Sequence, residues 1–255
     1  MNRLEKRKNI ASRLQPVAGE DAFLEAGFLM DFCDKNPEAD ESRLIERRLT
    51  GEPIQYVLGE WDFMGLTFRT DKRALIPRPD TETVCETALA RMKDGDRVLD
   101  MCCGSGCIGI SIAKRKKISL TAADLSPSAI ELTEENAEMH GIVLETVQSD
   151  LFDRIHGTFD CIVCNPPYLN EREMLEMDPS LRYEPSMALD GGEDGLVFYR
   201  RIRDTYDRFL NPGGWLIMEI GCFQEEAMKE LFPGSEVIKD YGGRPRCAVI
   251  QKNDR

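Results

Sequence analysis

RVLDMCCGSGCIGI, residues 97–110, is the stretch from which the rest of the chain can be read. Its first five residues form a short apolar run. A glycine-containing turn follows, and the residues from Ile108 to Arg115 read as a helix. A strand that passes through such a turn into a helix is the opening unit of an open α/β sheet, whose ligands sit beyond the carboxyl ends of the strands. Gly104 and Gly106 are expected to floor that site, because a residue without Cβ lets a ligand approach the backbone. Cys102, Cys103 and Ser105 share the turn. Gly109 completes G-x-G-x-x-G only inside the helix, so the turn by itself also suits a nicotinamide cofactor.

Downstream the alternation continues. LTAAD (120–124) reads as a second strand and Pro127 to Met139 as a second helix, with Ser126 as its cap. VLETVQSD (143–150), FDCIVCN (159–165), GWLIMEIG (214–221), SEVIKD (235–240) and RCAVIQK (246–252) read as further strands. Helices are expected over 195–210 and 225–231. Alternating strands and helices imply a parallel, doubly wound sheet with right-handed crossovers. Upstream, residues 1–52 read as a helical domain. One helix spans Ala22 to Phe32 behind an Asp21 cap, another spans Ser42 to Leu49, and the basic first fifteen residues are either a helix or loose. Residues 53–72 carry alternating apolar positions with Gly59 and Gly65, the pattern of a β-hairpin linker. LIPRPDTE (75–82) then leads, with Asp80 or Thr81 as cap, into a helix at the start of a domain covering 73–255.

The chain has 255 residues, 42% apolar and 31% charged, with a net charge of -13. Those values fit a globular protein, and no stretch reaches the ~20 apolar residues of a membrane helix. The first residues, MNRLEKRKNIASRLQ, lack an export signal's apolar core, so a cytoplasmic location is expected. The acidity weighs against a nucleic-acid substrate, whose phosphates favour basic surfaces. Nine cysteines and two histidines do not suggest a disulfide framework. Cys161 and Cys164 lie in an apolar strand, where positions i and i+3 face opposite sides. We read them as small core residues rather than zinc ligands, and expect no metal.

Two carboxylates sharpen the ligand. Asp124 ends the second strand about twenty residues after the glycines, where it can accept hydrogen bonds from a ribose diol. Asp150 ends the third strand beside Leu151 and Phe152, a combination suited to reading an adenine amino group and covering its ring. The fourth strand runs straight into Asn165-Pro166-Pro167-Tyr168. Two prolines stiffen this loop and remove backbone donors. The carbonyls near Asn165 and Pro166 and the Asn165 side-chain oxygen can then hold both hydrogens of an NH₂ group, while Tyr168 offers a flat face for a planar substrate. Fixed acceptors orient a weak amide nucleophile for in-line attack on a methyl carried by sulfur.

These motifs resemble those of class I methyltransferases with an N-P-P-Y loop, and more narrowly the release factor glutamine methyltransferases of the PrmC/HemK family. The likeness rests on RRLTGEPIQYVLGEWDFMGLTF (47–68), LIPRPDTE, VLDMCCGSGCIGI, DLSPSAIELTEENA (124–137), QSDLF (148–152), FDCIVCNPPY, YEPSMALDGGEDGLVFYRRI (183–202) and LNPGGWLIMEIG (210–221). N-P-P-Y also occurs in amino-methylating nucleic-acid enzymes, whereas the string from Tyr183 is far more specific. The resemblance implies a Rossmann-like, seven-stranded, mostly parallel sheet whose last strand is antiparallel, preceded by a small helical domain that helps bind the release factor. It implies S-adenosylmethionine as cofactor, held by Cys102 to Gly106, Asp124, Asp150, Leu151 and Asn165. It implies as substrate the glutamine of the Gly-Gly-Gln loop of bacterial peptide chain release factors, held by Asn165 to Tyr168 with Glu184 and Pro185 shaping the pocket. The alternative readings are a ribosomal-protein glutamine or a nucleic-acid amino-group methyltransferase. Two departures stand out. Cys102 occupies a position where the family usually has glycine, and a residue with a Cβ is not expected to take a positive φ freely. The helical domain is also shorter than usual.

Overall fold

The structure, a computed structural model that describes residues 2–253, opens with α1 (Arg3–Ala18), α2 (Ala22–Lys35), α3 (Glu41–Leu49) and α4 (Ile54–Leu58). The basic start of the chain is helical because it is capped as well as packed. The Asn2 side chain accepts from the Glu5 N–H, and the Glu5 carboxylate accepts from the Asn2 N–H. Ile10, Leu14, Ala26, Leu29, Ile45 and Val57 join the four helices in one small core. Within it the Arg48 guanidinium holds the Glu25 carboxylate through two bonds of 2.7 and 3.0 Å. Asp21 does not cap α2. It lies in a 3-10 turn with helical backbone angles, and its side chain makes no cap bond. Asp40 does cap α3, accepting from the Arg43 N–H at 3.2 Å.

The expected hairpin is shorter than its alternating pattern suggests. Ile54–Leu58 is helical, bracketed by Pro53 and by Gly59 at φ +77°. Only β1 (Glu60–Phe63) and β2 (Leu66–Arg69) pair, antiparallel. Met64 and Gly65 both have positive φ at their junction, as a two-residue turn between right-twisted strands requires.

Then come α5 (Glu82–Arg91), β3 (Arg97–Met101), α6 (Cys107–Ala113), β4 (Ser119–Asp124), α7 (Pro127–His140), β5 (Glu145–Gln148) and β6 (Phe159–Cys164). The chain continues through α8 (Glu171–Glu176), α9 (Val197–Arg203), β7 (Leu210–Glu219), α10 (Glu225–Leu231), β8 (Glu236–Lys239) and β9 (Pro245–Gln251). Ser126 caps α7 as expected, accepting from the Ala129 N–H at 3.3 Å. Neither Asp80 nor Thr81 caps α5 with its side chain; Asp80 pairs instead with Arg246 at 3.0 Å. The helix expected over 195–210 is only α9 followed by a 3-10 turn, and α8 was not foreseen.

The seven strands lie in the order β5-β4-β3-β6-β7-β9-β8, all parallel except β9, which runs antiparallel to both neighbours. The expected seven-stranded, mostly parallel sheet is therefore present. Leu99, Met101, Ile162 and Cys164 fill one face, while Val98, Cys161 and Val163 fill the other. Cys161 and Cys164 thus lie in different layers, as strand alternation demands. Strand order reverses between β3 and β6, and a crevice opens beyond their carboxyl ends at that switch point.

Candidate active site

Beyond the ends of β3, β4, β5 and β6 lies a cavity of about 240 Å³. Cys102 to Ser105, Asp124, Asp150, Leu151 and Asn165, all expected at the cofactor, line it together with Pro167 and Pro185, which were expected on the substrate side. Gly106 does not. It is the cap residue just before α6, at φ +76°, and a Cβ there would meet Ile110 Cδ1 and Thr133 Cγ2 at 2.9 Å, so this glycine serves the packing of α6 on α7. Gly104 remains at the floor, with φ +56°. Cys102 also has a positive φ, +58°, contrary to expectation. A left-handed L-residue costs roughly 1–2 kcal/mol. Packing helps hold it there, since its side chain lies against the core cluster that contains Cys164 of β6. Burial pushes the Cys164 thiol well above the ordinary thiol range, so it stays protonated.

Asp124 has two local duties besides facing the cavity. Its Oδ2 accepts from the Gly104 N–H and its Oδ1 from the Ser126 N–H, both at 2.9 Å. The carboxylate therefore braces the glycine turn against the end of β4. Burial raises its pKa despite these donors. Asp150 pairs with Arg201 at 2.9 Å on the cavity rim. Phe152 is not a cavity wall. It stacks on Phe209 in the core, with ring centroids 4.6 Å apart, and the aromatic side chain on the cavity is Phe198 of α9. Phe198 was missed because a helix places it there from almost fifty residues away. Asp100 was also missed, although a carboxylate inside the apolar run RVLDM was a signal. It is wholly buried, accepts the Gly109 N–H at 2.8 Å through Oδ2, and is pushed up to about 7 by burial. A Cβ on Gly109 would lie 2.8 Å from that same oxygen, which accounts for this glycine without any nucleotide motif.

A second cavity of about 290 Å³ shares Leu75, Arg78, Asn165 and Ala188 with the first and adds Tyr168, Leu169 and Leu181. Asn165 therefore stands where the two meet. Pro166 is buried and lines neither. The loop is held from one side by the ALDGGEDG segment. The Leu169 N–H donates to the Leu189 carbonyl at 2.9 Å, and the Gly191 N–H to the Leu169 carbonyl at 2.8 Å. A Cβ on Gly191 would lie 2.7 Å from Tyr168 Cα, so glycine is required for this approach. From the other side, Gln224 Nε2 donates to the Tyr168 and Gly195 carbonyls, each at 3.1 Å.

Glu184 lies behind the walls of both cavities. Its buried carboxylate accepts the Ile76 N–H at 2.9 Å and pairs with Arg78, tying residues 74–78 to the segment that carries Pro185. The Tyr56 hydroxyl donates to the Ala74 carbonyl and the Tyr183 hydroxyl to the Thr50 carbonyl, both at 2.7 Å. The helical part of the chain is thereby fastened to both segments.

Residues 82–180 match the family described as methyltransferase small domain. The release factor glutamine methyltransferase of Geobacter sulfurreducens is 43% identical over 192 residues, 74% of this chain and 68% of its own. That of Agrobacterium fabrum is 36% identical over 272 residues, 94% of each. Among solved structures, a methyltransferase from Pyrococcus furiosus superposes with a TM-score of 0.57 at 18% identity, covering 83% of this chain and 99% of that one, which speaks to the fold alone. Similarity at this level over nearly the whole length places the chain in the family of release factor glutamine methyltransferases.

Proposed function

We propose that this protein transfers a methyl group from S-adenosylmethionine to the side-chain amide nitrogen of the Gly-Gly-Gln glutamine in bacterial peptide chain release factors. The observation that carries the reading is the place of Asn165, at the junction of two cavities. The first cavity suits the cofactor. It offers the Asp124 carboxylate at a strand end for a ribose, Asp150 with Leu151 and Phe198 for an adenine, and the turn from Cys102 to Ser105 for close approach. The second, with Tyr168 on its wall, suits a planar amide.

When bound, S-adenosylmethionine supplies an electrophilic methyl on a positively charged sulfur. The Asn165 side-chain oxygen and the carbonyls of the proline loop accept both amide hydrogens, which orients the nitrogen lone pair toward the first cavity. The same acceptors stabilise the positive charge that grows on nitrogen as the N–C bond forms. The extra proton leaves to solvent afterward, so no strong base acts first. Pro166 and Pro167 keep the acceptors fixed, and Glu184 and Pro185 shape the wall. Residues 1–52 serve release-factor recognition, 53–72 link, and 73–255 catalyse. Among the described residues no helix is long and apolar enough to cross a membrane. A cytoplasmic location and a protein rather than a nucleic-acid substrate follow from this reading, the latter supported by the net charge of -13.

The test is incubation with labelled S-adenosylmethionine and an unmethylated release factor, followed by mass spectrometry of the Gly-Gly-Gln peptide. One methyl on that glutamine, absent from a Gln→Ala factor, is expected. Asn165→Ala should cut turnover by ~10²–10³ and leave cofactor affinity within a few-fold. Label in ribosomal protein or nucleic acid, with none in the factor, would overturn the substrate.

A further inference from the structure

Glu219 ends β7 at 1% exposure, between the apolar Met218 and Ile220. Its Oε1 accepts from the Tyr168 hydroxyl at 3.2 Å. Its Oε2 is buried with no hydrogen-bond partner among the described residues. Several polar groups face it: Asp80 and Thr81 before α5, Cys107 of α6, Tyr199 of α9, and Arg246 and Cys247 of β9. Tyr199 donates to its backbone carbonyl, not to the carboxylate. Arg246 is engaged by Asp80 at 3.0 Å and Asp240 at 3.3 Å, and makes no ion pair with Glu219. Burial consequently raises the carboxyl to about 7. A buried carboxylate without a paired cation costs several kcal/mol, and an aliphatic residue would fill such a strand position more cheaply.

We propose that Glu219 is a positioning residue for methyl transfer, anchoring the Tyr168 hydroxyl so that the tyrosine keeps its place on the wall of the substrate cavity. The inference rests on the reading of the Asn165–Tyr168 loop given above. Glu219 touches neither cavity, so it acts only through Tyr168. Gln224 fixes the backbone carbonyl of the same tyrosine, so one residue is held at both its backbone and its far end. Losing the far anchor frees the ring to shift, and displacement of about 1 Å at a reacting site can cost ~10²-fold in rate.

The experiment compares wild type, Glu219→Leu, Glu219→Gln, Tyr168→Phe, the Tyr168→Phe/Glu219→Leu double variant and Asn165→Ala, using labelled S-adenosylmethionine and unmethylated release factor. Glu219→Leu is expected to lower kcat by roughly 10–100-fold, with cofactor affinity by calorimetry within about twofold. Glu219→Gln, whose amide oxygen still accepts from the tyrosine, should recover to within about threefold of wild type. Tyr168→Phe should match Glu219→Leu, and the double variant should be no slower than either, since both remove one interaction. Losses that multiply in the double variant, or full activity of Glu219→Leu beside a dead Asn165→Ala, would overturn the proposal. If Glu219→Leu does not fold, Tyr168→Phe at wild-type kcat overturns it equally. Full turnover by Asn165→Ala would instead overturn the underlying reading of the loop.

Discussion

Glu184→Ala removes a carboxylate on which two cavity walls depend. The carboxylate is the acceptor for the buried Ile76 N–H and the partner of Arg78. Leaving a buried N–H without an acceptor costs about 1–3 kcal/mol. Arg78 is 33% exposed and can rehydrate, so loss of its ion pair adds under about 1 kcal/mol. The expected loss of stability is about 2–3 kcal/mol, or roughly 5–10 °C in Tm for a chain of this size. Glu184→Gln keeps an acceptor for Ile76 and should lose less than half as much. Because the bond joins residues 74–78 to the Pro185 segment, the alanine variant should also bind S-adenosylmethionine more weakly. Denaturant titration with circular dichroism measures the first effect and calorimetry the second. An alanine variant within 0.5 kcal/mol of wild type, with unchanged cofactor affinity, would show that the two walls do not rely on this carboxylate.

Asp124→Ala should weaken cofactor binding by about 10–100-fold, the cost of a hydrogen-bonded carboxylate, read by calorimetry; unchanged affinity would move the ribose contact elsewhere. Cys102→Gly should leave stability within about 1 kcal/mol of wild type, because relief at φ +58° offsets glycine's greater unfolded freedom. Cys102→Val, β-branched at the same angle, should lose about 1–3 kcal/mol, and equal stability of the two variants in denaturant would refute the strain. Asp100 gives a pH signature. Unfolded, its carboxyl loses its proton near the ordinary value of 3.8, but in the fold it keeps the proton up to about 7. Between these values the folded state binds more protons, so the contribution is full below pH 4 and lost as pH rises to 7. Asp100→Asn cannot charge, and its stability relative to wild type should rise from pH 5 to pH 8. Parallel stability curves for the two proteins would contradict the buried, protonated carboxyl.

How much was legible depended on whether a signal was local. The strand ends at Met101, Asp124 and Cys164 were readable because apolar runs stop there at a glycine turn, a helix cap or a proline pair. The five residues Ile54–Leu58 defeated the period argument, since a run that short fits either a helix or a strand. Pro53 and Gly59 were the deciding marks and lay in plain view. Gly104 and Gly106 look alike in the sequence, yet one floors a cavity and the other admits Ile110 and Thr133 to a helix junction. Phe152 and Phe198 exchanged the roles that proximity to Asp150 suggested, because Phe209 claims the first as a stacking partner.

The sequence by itself determined the alternation of elements, the strand ends that carry Asp124 and Asn165, and the likeness to glutamine methyltransferases. Such features are written in residue type and spacing along one stretch of chain. Only the tertiary structure decided which groups meet across it: Glu184 with Ile76, Gly191 with Tyr168, and Glu219 with the tyrosine hydroxyl. These pairs lie 108, 23 and 51 residues apart, and no local pattern encodes a buried contact over such distances, because its partner is chosen by how the layers pack.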